Sequence, residues 1–138
     1  LKAAEMGMLV FGTLHTNSAA KTIDRLIDVF PADEQPQARL SLADSLAAIV
    51  AQLLVPRAGG AGRVAVHEIL LKTPALPNLI RESSISMLTN LMQAGRSEGM
   101  QLLDDALLDL VTRKIVTPRD AYMKASDKSR FEPLLEGE

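Results

Sequence analysis

The 138-residue chain is 47% hydrophobic and 23% charged, with a formal net charge of −2 and no cysteine, the composition of an ordinary globular domain large enough to bury a core. Disulfides and thiolate metal sites are thereby excluded, in keeping with a reducing compartment. No basic stripe for a phosphate backbone is present, and 3% aromatic residues offer no platform for stacked bases, so nucleic acid is not an expected partner. Apolar stretches such as Met8 to Phe11 and Leu46 to Val50 fall far short of the roughly 20 residues of a membrane span, and no signal peptide is recognisable, so a soluble protein without membrane insertion is expected.

In chain order, Leu1 to Gly7 reads as the last turn of a helix stopped by glycine, from which the chain is expected to be part of a longer protein. Met8 to His15 (MLVFGTLH) is a nearly continuous apolar run, the pattern of a strand buried on both faces of an α/β sheet. Asn17 or Ser18 supplies N-cap chemistry for a helix with Ile23, Leu26, Ile27 and Phe30 on one face, ended by Pro31. A longer helix is predicted from Asp33 or Gln35, with Leu42, Leu46, Ile49, Val50, Leu53 and Leu54 on one stripe, closed by Pro56 and the glycines at 59, 60 and 62. That glycine run lacks phosphate-loop spacing and reads as a hairpin or loop.

Arg63 to Leu71 (RVAVHEILL) is a second predicted strand. On it His67 and Glu68 point to opposite faces, which favours a structural role for the pair. Everything further on reads as helical. In Thr73 to Glu82, Pro77 would remove a backbone donor from a helix begun at Pro74, so Pro74 to Leu76 are expected to be extended, with the helix running from Pro77 to Glu82. A helix capped by Ser83 or Ser84 with Met87, Leu88, Leu91 and Met92 inward follows, then one with Leu103, Ala106, Leu107, Leu110 and Val111 inward and Asp104 and Asp105 at its positive end. Met87, Met92 and Met100 read as core filler. A last helix opens at Thr117-Pro118, and residues 126–138 are expected to form a mobile tail.

The polar cluster Thr13-Leu14-His15-Thr16-Asn17-Ser18 is the main candidate for chemistry. It stands where a buried strand hands over to a helix, the place where an open α/β sheet receives anionic ligands, and His15 can donate a hydrogen bond to a phosphate oxygen. The same residues also fit a histidine satisfied at a strand end with a capping neighbour, and spacing alone leaves both readings open. Leu79-Ile80-Arg81-Glu82 reads as a helical surface with a basic residue beside an acidic one, equally consistent with a plain solvated face.

The run LVFGTLHTNSAAKTIDRLIDVFP, Leu9 to Pro31, resembles the histidine box of the PilT family of twitching-motility ATPases. GRVAVHEIL (Gly62 to Leu70), TPALPNLIRE (Thr73 to Glu82) and GMQLLDDAL (Gly99 to Leu107) resemble later segments of the same family, in the same order. The resemblance implies an α/β fold, with residues 1–72 the C-terminal part of a RecA-like ATPase core and residues 73–125 a helical C-terminal subdomain. It implies a homohexameric motor that uses ATP and Mg2+ for type IV pilus retraction, cytoplasmic and peripheral to the inner membrane, working on the pilus platform machinery there. Thr13, His15 and Thr16 match the box that senses the nucleotide's γ-phosphate, and Asn78, Leu79, Ile80, Arg81 and Glu82 match a helix that matters for retraction.

Walker A, Walker B and aspartate-box segments are not among these 138 residues, so no catalytic residue is assigned and the chain alone is not expected to bind ATP tightly. Pro77 stands where the family has arginine, and Met6 and Met8 depart from its usual lead-in. A related pilus-extension or type II secretion ATPase, or a non-enzymatic helical interaction module, are the alternatives. The absence of a four-cysteine zinc module argues against the extension and secretion enzymes.

Overall fold

The structure is a computed structural model that describes residues 1–136. Its frame is one antiparallel hairpin, β1 (Ala48–Pro56) against β2 (Arg63–Leu71), paired from Ala48 with Leu71 to Pro56 with Arg63. Gly59, Gly60 and Gly62 all have φ near +80 to +90°, a conformation that glycine adopts without steric cost and that lets the chain reverse in so short a space. β2 occupies the predicted residues, and the glycine run is the predicted hairpin. β1 is a correction, since the helix expected over this stretch ends at Ser45. Leu46 is extended there, with ψ 121°, and the next residues alternate, Ile49, Ala51 and Val55 buried against Val50 and Leu54 exposed. A stripe at 42, 46, 49 and 53 satisfies helical spacing, but β-branched residues with a partner strand to pair with take the period of two.

Helices cover one face of the hairpin. Ahead of it lie α1 (Lys2–Glu5), α2 (Ala19–Asp28) and α3 (Gln35–Ser45). After it come α4 (Leu76–Arg81), α5 (Leu88–Ala94), α6 (Leu103–Thr112), α7 (Pro118–Lys124) and α8 (Glu132–Leu135). Two apolar clusters share that face. Ile23 and Ile27 of α2, Leu42 of α3, Ile80 of α4 and Met92 of α5 meet Ile49 and Leu70. Leu103, Leu107 and Leu110 of α6, Ala121 of α7 and Phe131 meet Val55 and Val66 nearer the hairpin tip. The helices after β2 are thus divided between the two clusters, with α4 and α5 joining the helices of residues 1–72.

Three further expectations are corrected. Met8 to His15 forms no strand and is exposed, Leu9 at 81% and Phe11 at 88%: an apolar run becomes a strand only beside a partner edge, and among the described residues it has none. Pro74 and Ala75 form a turn instead of an extended lead-in, and α4 starts at Leu76 with Pro77 in its first turn, where the missing N–H has no intrahelical partner to lose. Met87, expected inward, is 51% exposed in a short 3-10 turn at Ile85–Met87, and neither Ser83 nor Ser84 caps through its side chain.

The tail is corrected as well, because residues 126–136 are folded on the body; residues 137 and 138 lie outside the described residues. Asp104, only 7% exposed, accepts the backbone N–H groups of Ser126 at 2.9 Å and Asp127 at 2.8 Å. Arg130 bonds Asp105 at 2.7 Å and Phe131 is fully buried between them and α7. Loss of that ring leaves a cavity in the second cluster, so Phe131→Ala should destabilise the protein by about 3–5 kcal/mol in urea unfolding, where a mobile tail would give no change.

Candidate functional site

His15 lies in the irregular segment that enters α2, and its ring is exposed. Ser18 is the N-cap, accepting from Lys21 N–H, which settles the choice that spacing left open between Asn17 and Ser18. Asn17 instead holds the Lys21 ammonium through Oδ1 at 3.3 Å. Thr22, one turn into the helix, donates to the Ser18 carbonyl at 2.8 Å, and its hydroxyl lies 2.7 Å from that of Thr16. Thr16 is therefore tied to the helix that follows, whereas Thr13 is exposed with no side-chain partner among the described residues.

These residues open onto a hollow of about 650 Å³ lined by Leu14, His15, Thr16 and Asn17, by Lys21, Asp24, Arg25 and Asp28 of α2, and by Gln52 and Leu53 of β1. The imidazole, the Lys21 ammonium and the Arg25 guanidinium are donors suited to phosphate oxygens. The Asp24 and Asp28 carboxylates on the same wall limit how much anionic charge the hollow accepts.

The second predicted group lies on α4. Asn78 and Arg81 are exposed and joined at 3.1 Å, and Glu82 is exposed beyond them. Arg81 also forms an ion pair with Asp44 of α3, while Lys72 donates to the Asp44 carbonyl at 2.6 Å. Leu79 is half-buried, and Ile80, expected on this surface, is fully buried in the first apolar cluster. Of the five, Asn78, Arg81 and Glu82 are exposed, while Leu79 and Ile80 pack against the first cluster.

Glu68 was given only a general structural role by sequence. One of its carboxylate oxygens accepts the Ala19 N–H at 2.8 Å and the other the Leu103 N–H at 3.3 Å. These are the first residues of α2 and α6, so one side chain serves two helix ends. The signal available beforehand was a lone carboxylate at an inward position of an apolar strand. His67, on the opposite face, bonds Gln52 at 2.9 Å, as strand alternation requires.

The chain matches the type II/IV secretion system protein family over residues 1–121. It is 50% identical over 131 residues to the type IV pilus retraction ATPase PilT of Pseudomonas aeruginosa, covering 95% of this chain and 38% of that protein. It is 48% identical to a twitching motility protein of Neisseria gonorrhoeae over 127 residues, 92% of this chain and 34% of that protein. Among solved structures it is similar to the pilus retraction motor PilT with bound ADP, with a TM-score of 0.82 and 39% identity, over 96% of this chain and 36% of that one. The chain thus spans little more than a third of the length of these relatives.

Thr22 is the residue on which the order of Thr16 depends. Thr22→Val keeps the shape, deletes both hydroxyl bonds and should cost about 1 kcal/mol, with faster amide exchange confined to the neighbourhood of residues 15–18.

Proposed function

The chain belongs to the type II/IV secretion system protein family, and from that premise we propose that it is the C-terminal part of a motor that couples ATP hydrolysis to type IV pilus retraction and twitching motility. The observation that carries the reading is the agreement in shape and sequence with a retraction motor along nearly the whole chain, at a TM-score of 0.82. The His15 hollow supplies the chemistry. His15 donates to the terminal phosphate of ATP, Thr16 keeps the segment against α2 through Thr22, and Thr13 flanks His15 in sequence. Lys21 and Arg25 add positive charge along the same wall.

ATP would supply the driving reaction, with Mg2+ carried on its phosphates in the intact protein. Full nucleotide binding in this reading needs a phosphate loop contributed from outside the 138 residues, and assembly into a homohexamer that completes each site. The motor would act at the cytoplasmic face of the inner membrane on the pilus platform, without nucleic acid. No helix among the described residues is long and apolar enough to cross a membrane. Asn78, Arg81 and Glu82 are the side chains of α4 available to that machinery, with Arg81 set by Asp44.

Two measurements test the reading. In the intact protein His15→Ala should lower ATP turnover on the order of 100–1,000-fold, the scale for losing one donor to charge that develops in the transition state. Its thermal midpoint should stay at the parental value, because an exposed side chain with no partner contributes little to stability. Parental turnover in that variant would refute the sensing role. The 138-residue chain alone should show no ATP turnover in a phosphate-release assay, because it contains no glycine-lysine loop to cradle the β- and γ-phosphates; measurable turnover would refute this division of labour.

A further inference from the structure

Glu68 interrupts the apolar inner face of β2, between Val66 of one cluster and Leu70 of the other, directly opposite the small, buried Ala51. A carboxylate among such neighbours is retained only where its oxygens are satisfied, and here each is satisfied by a different helix. Neither helix has a local substitute. Ser18 spends its hydroxyl on Lys21 N–H, and Leu102, the residue that precedes α6, carries no acceptor in its side chain. Both contacts bring a negative charge to a positive helix end.

The residues on either side of Glu68 strengthen one of the two attachments. The backbones of Ile69 and Gln101 exchange hydrogen bonds at 2.8 and 3.0 Å, and the Gln101 amide donates to the His67 carbonyl at 2.7 Å. Three consecutive residues of β2 thus dock the start of α6, and the middle one also reaches α2 at the first residue after the Ser18 cap. From Ala19 the connection continues toward His15 through Ser18, Thr22 and Thr16.

We propose that Glu68 is a positioning residue that couples the His15 segment to the C-terminal helices, by holding the first N–H of α2 on one carboxylate oxygen and the first N–H of α6 on the other. It rests on the phosphate-sensing role of His15 proposed above. Any displacement of the α2 end as His15 engages a phosphate must break one bond or carry the carboxylate with it, and the carboxylate is bonded to α6. α6 in turn packs on α7 and Phe131 through Leu107 and Leu110.

The test uses the intact protein as parent, Glu68→Gln, His15→Ala and the double variant. Glutamine keeps the shape but replaces one acceptor oxygen with a donor, so one of the two bonds is lost in either orientation of the amide. Amide exchange should rise at residues 15–22 and at residues 101–107 together in Glu68→Gln, and ATP turnover should fall about tenfold, within the range of coupling between linked sites. The double variant should be no slower than His15→Ala, because both changes act through the same histidine; losses that multiply would overturn the proposal. Exchange that rises at only one of the two segments would overturn it as well.

A measurement on the parent covers a Glu68→Gln protein that fails to fold. A non-hydrolysable ATP analogue should alter exchange at residues 101–107 as well as at 15–22, and a response confined to 15–22 would overturn the coupling. The motor reading fails separately, through a parent that neither binds the analogue nor turns over ATP, or through a His15→Ala protein with parental turnover. In those cases the exchange pattern of Glu68→Gln still decides whether one carboxylate joins the two helices.

Discussion

The arrangement depends on how two backbone N–H groups, at the start of α2 and of α6, are satisfied by a single carboxylate on β2. Helix ends leave N–H groups that must find acceptors, and a pair of helices beginning over the same strand face can share one. The sharing fixes where the helices start relative to the hairpin, and the two apolar clusters grow outward from that point, one toward α3, α4 and α5, the other toward α7 and Phe131. Ala51, opposite Glu68, matters for the same reason: a larger residue there would contend with the carboxylate for the gap between the clusters.

Much of the fold was legible because some segments satisfy only one pattern. β2 has β-branched residues between a glycine run and a proline, and α7 opens with Thr117 ahead of Pro118; the Thr117 hydroxyl accepts from Asp120 N–H as that pairing requires. β1 was misread because Val50 and Leu54 on its outer face are apolar too, which erases the alternation that separates a half-buried strand from a helix stripe. Met8 to His15 departs from its expected strand for a complementary reason. Its composition is that of a strand, but composition specifies the partner-dependent state, and the described residues contain no partner edge for it.

The ends of the polar segments were the hardest to read. Residues 126–136 lack periodicity, yet one aromatic ring and two backbone N–H groups are enough to fix them, because the acceptor for those N–H groups is Asp104, 22 and 23 residues earlier on another helix. Glu68 and its partners are likewise 49 and 35 residues apart. Long-range side-chain to backbone bonds leave no local signature, so a sequence reveals a carboxylate in an apolar strand but not the helix ends it serves. His15 was singled out as the end of a buried strand, which the structure does not form, and by the resemblance to a family's box; the sequence left open which of Asn17 and Ser18 caps, and Ser18 accepts from Lys21 N–H while Asn17 holds the Lys21 ammonium.

Pro77 illustrates how the local and distant constraints combine on α4. As the second residue of the helix it loses no hydrogen bond, and it leaves the helix one short stretch from Leu76 to Arg81. A helix of that length is not stable through its own backbone bonds, since nucleation outweighs so few of them. Its persistence must come from burial of Leu76 and Ile80 in the first cluster and from bonds made by its ends. The Ile80 carbonyl accepts from Arg39 of α3 at 3.3 Å, and Arg81 pairs with Asp44 of the same helix. At the C-terminus Ser83 takes up φ of 57°, so that Ser84 N–H can return to the Leu79 carbonyl at 2.9 Å, the closure that a left-handed residue permits at a helix end. The orientation of Asn78, Arg81 and Glu82 toward any partner is therefore set by α3 and the first cluster more than by α4 itself. Since the first cluster reaches β2 at Leu70, two residues beyond Glu68, the exposed face of α4 and the start of α2 are referred to the same strand.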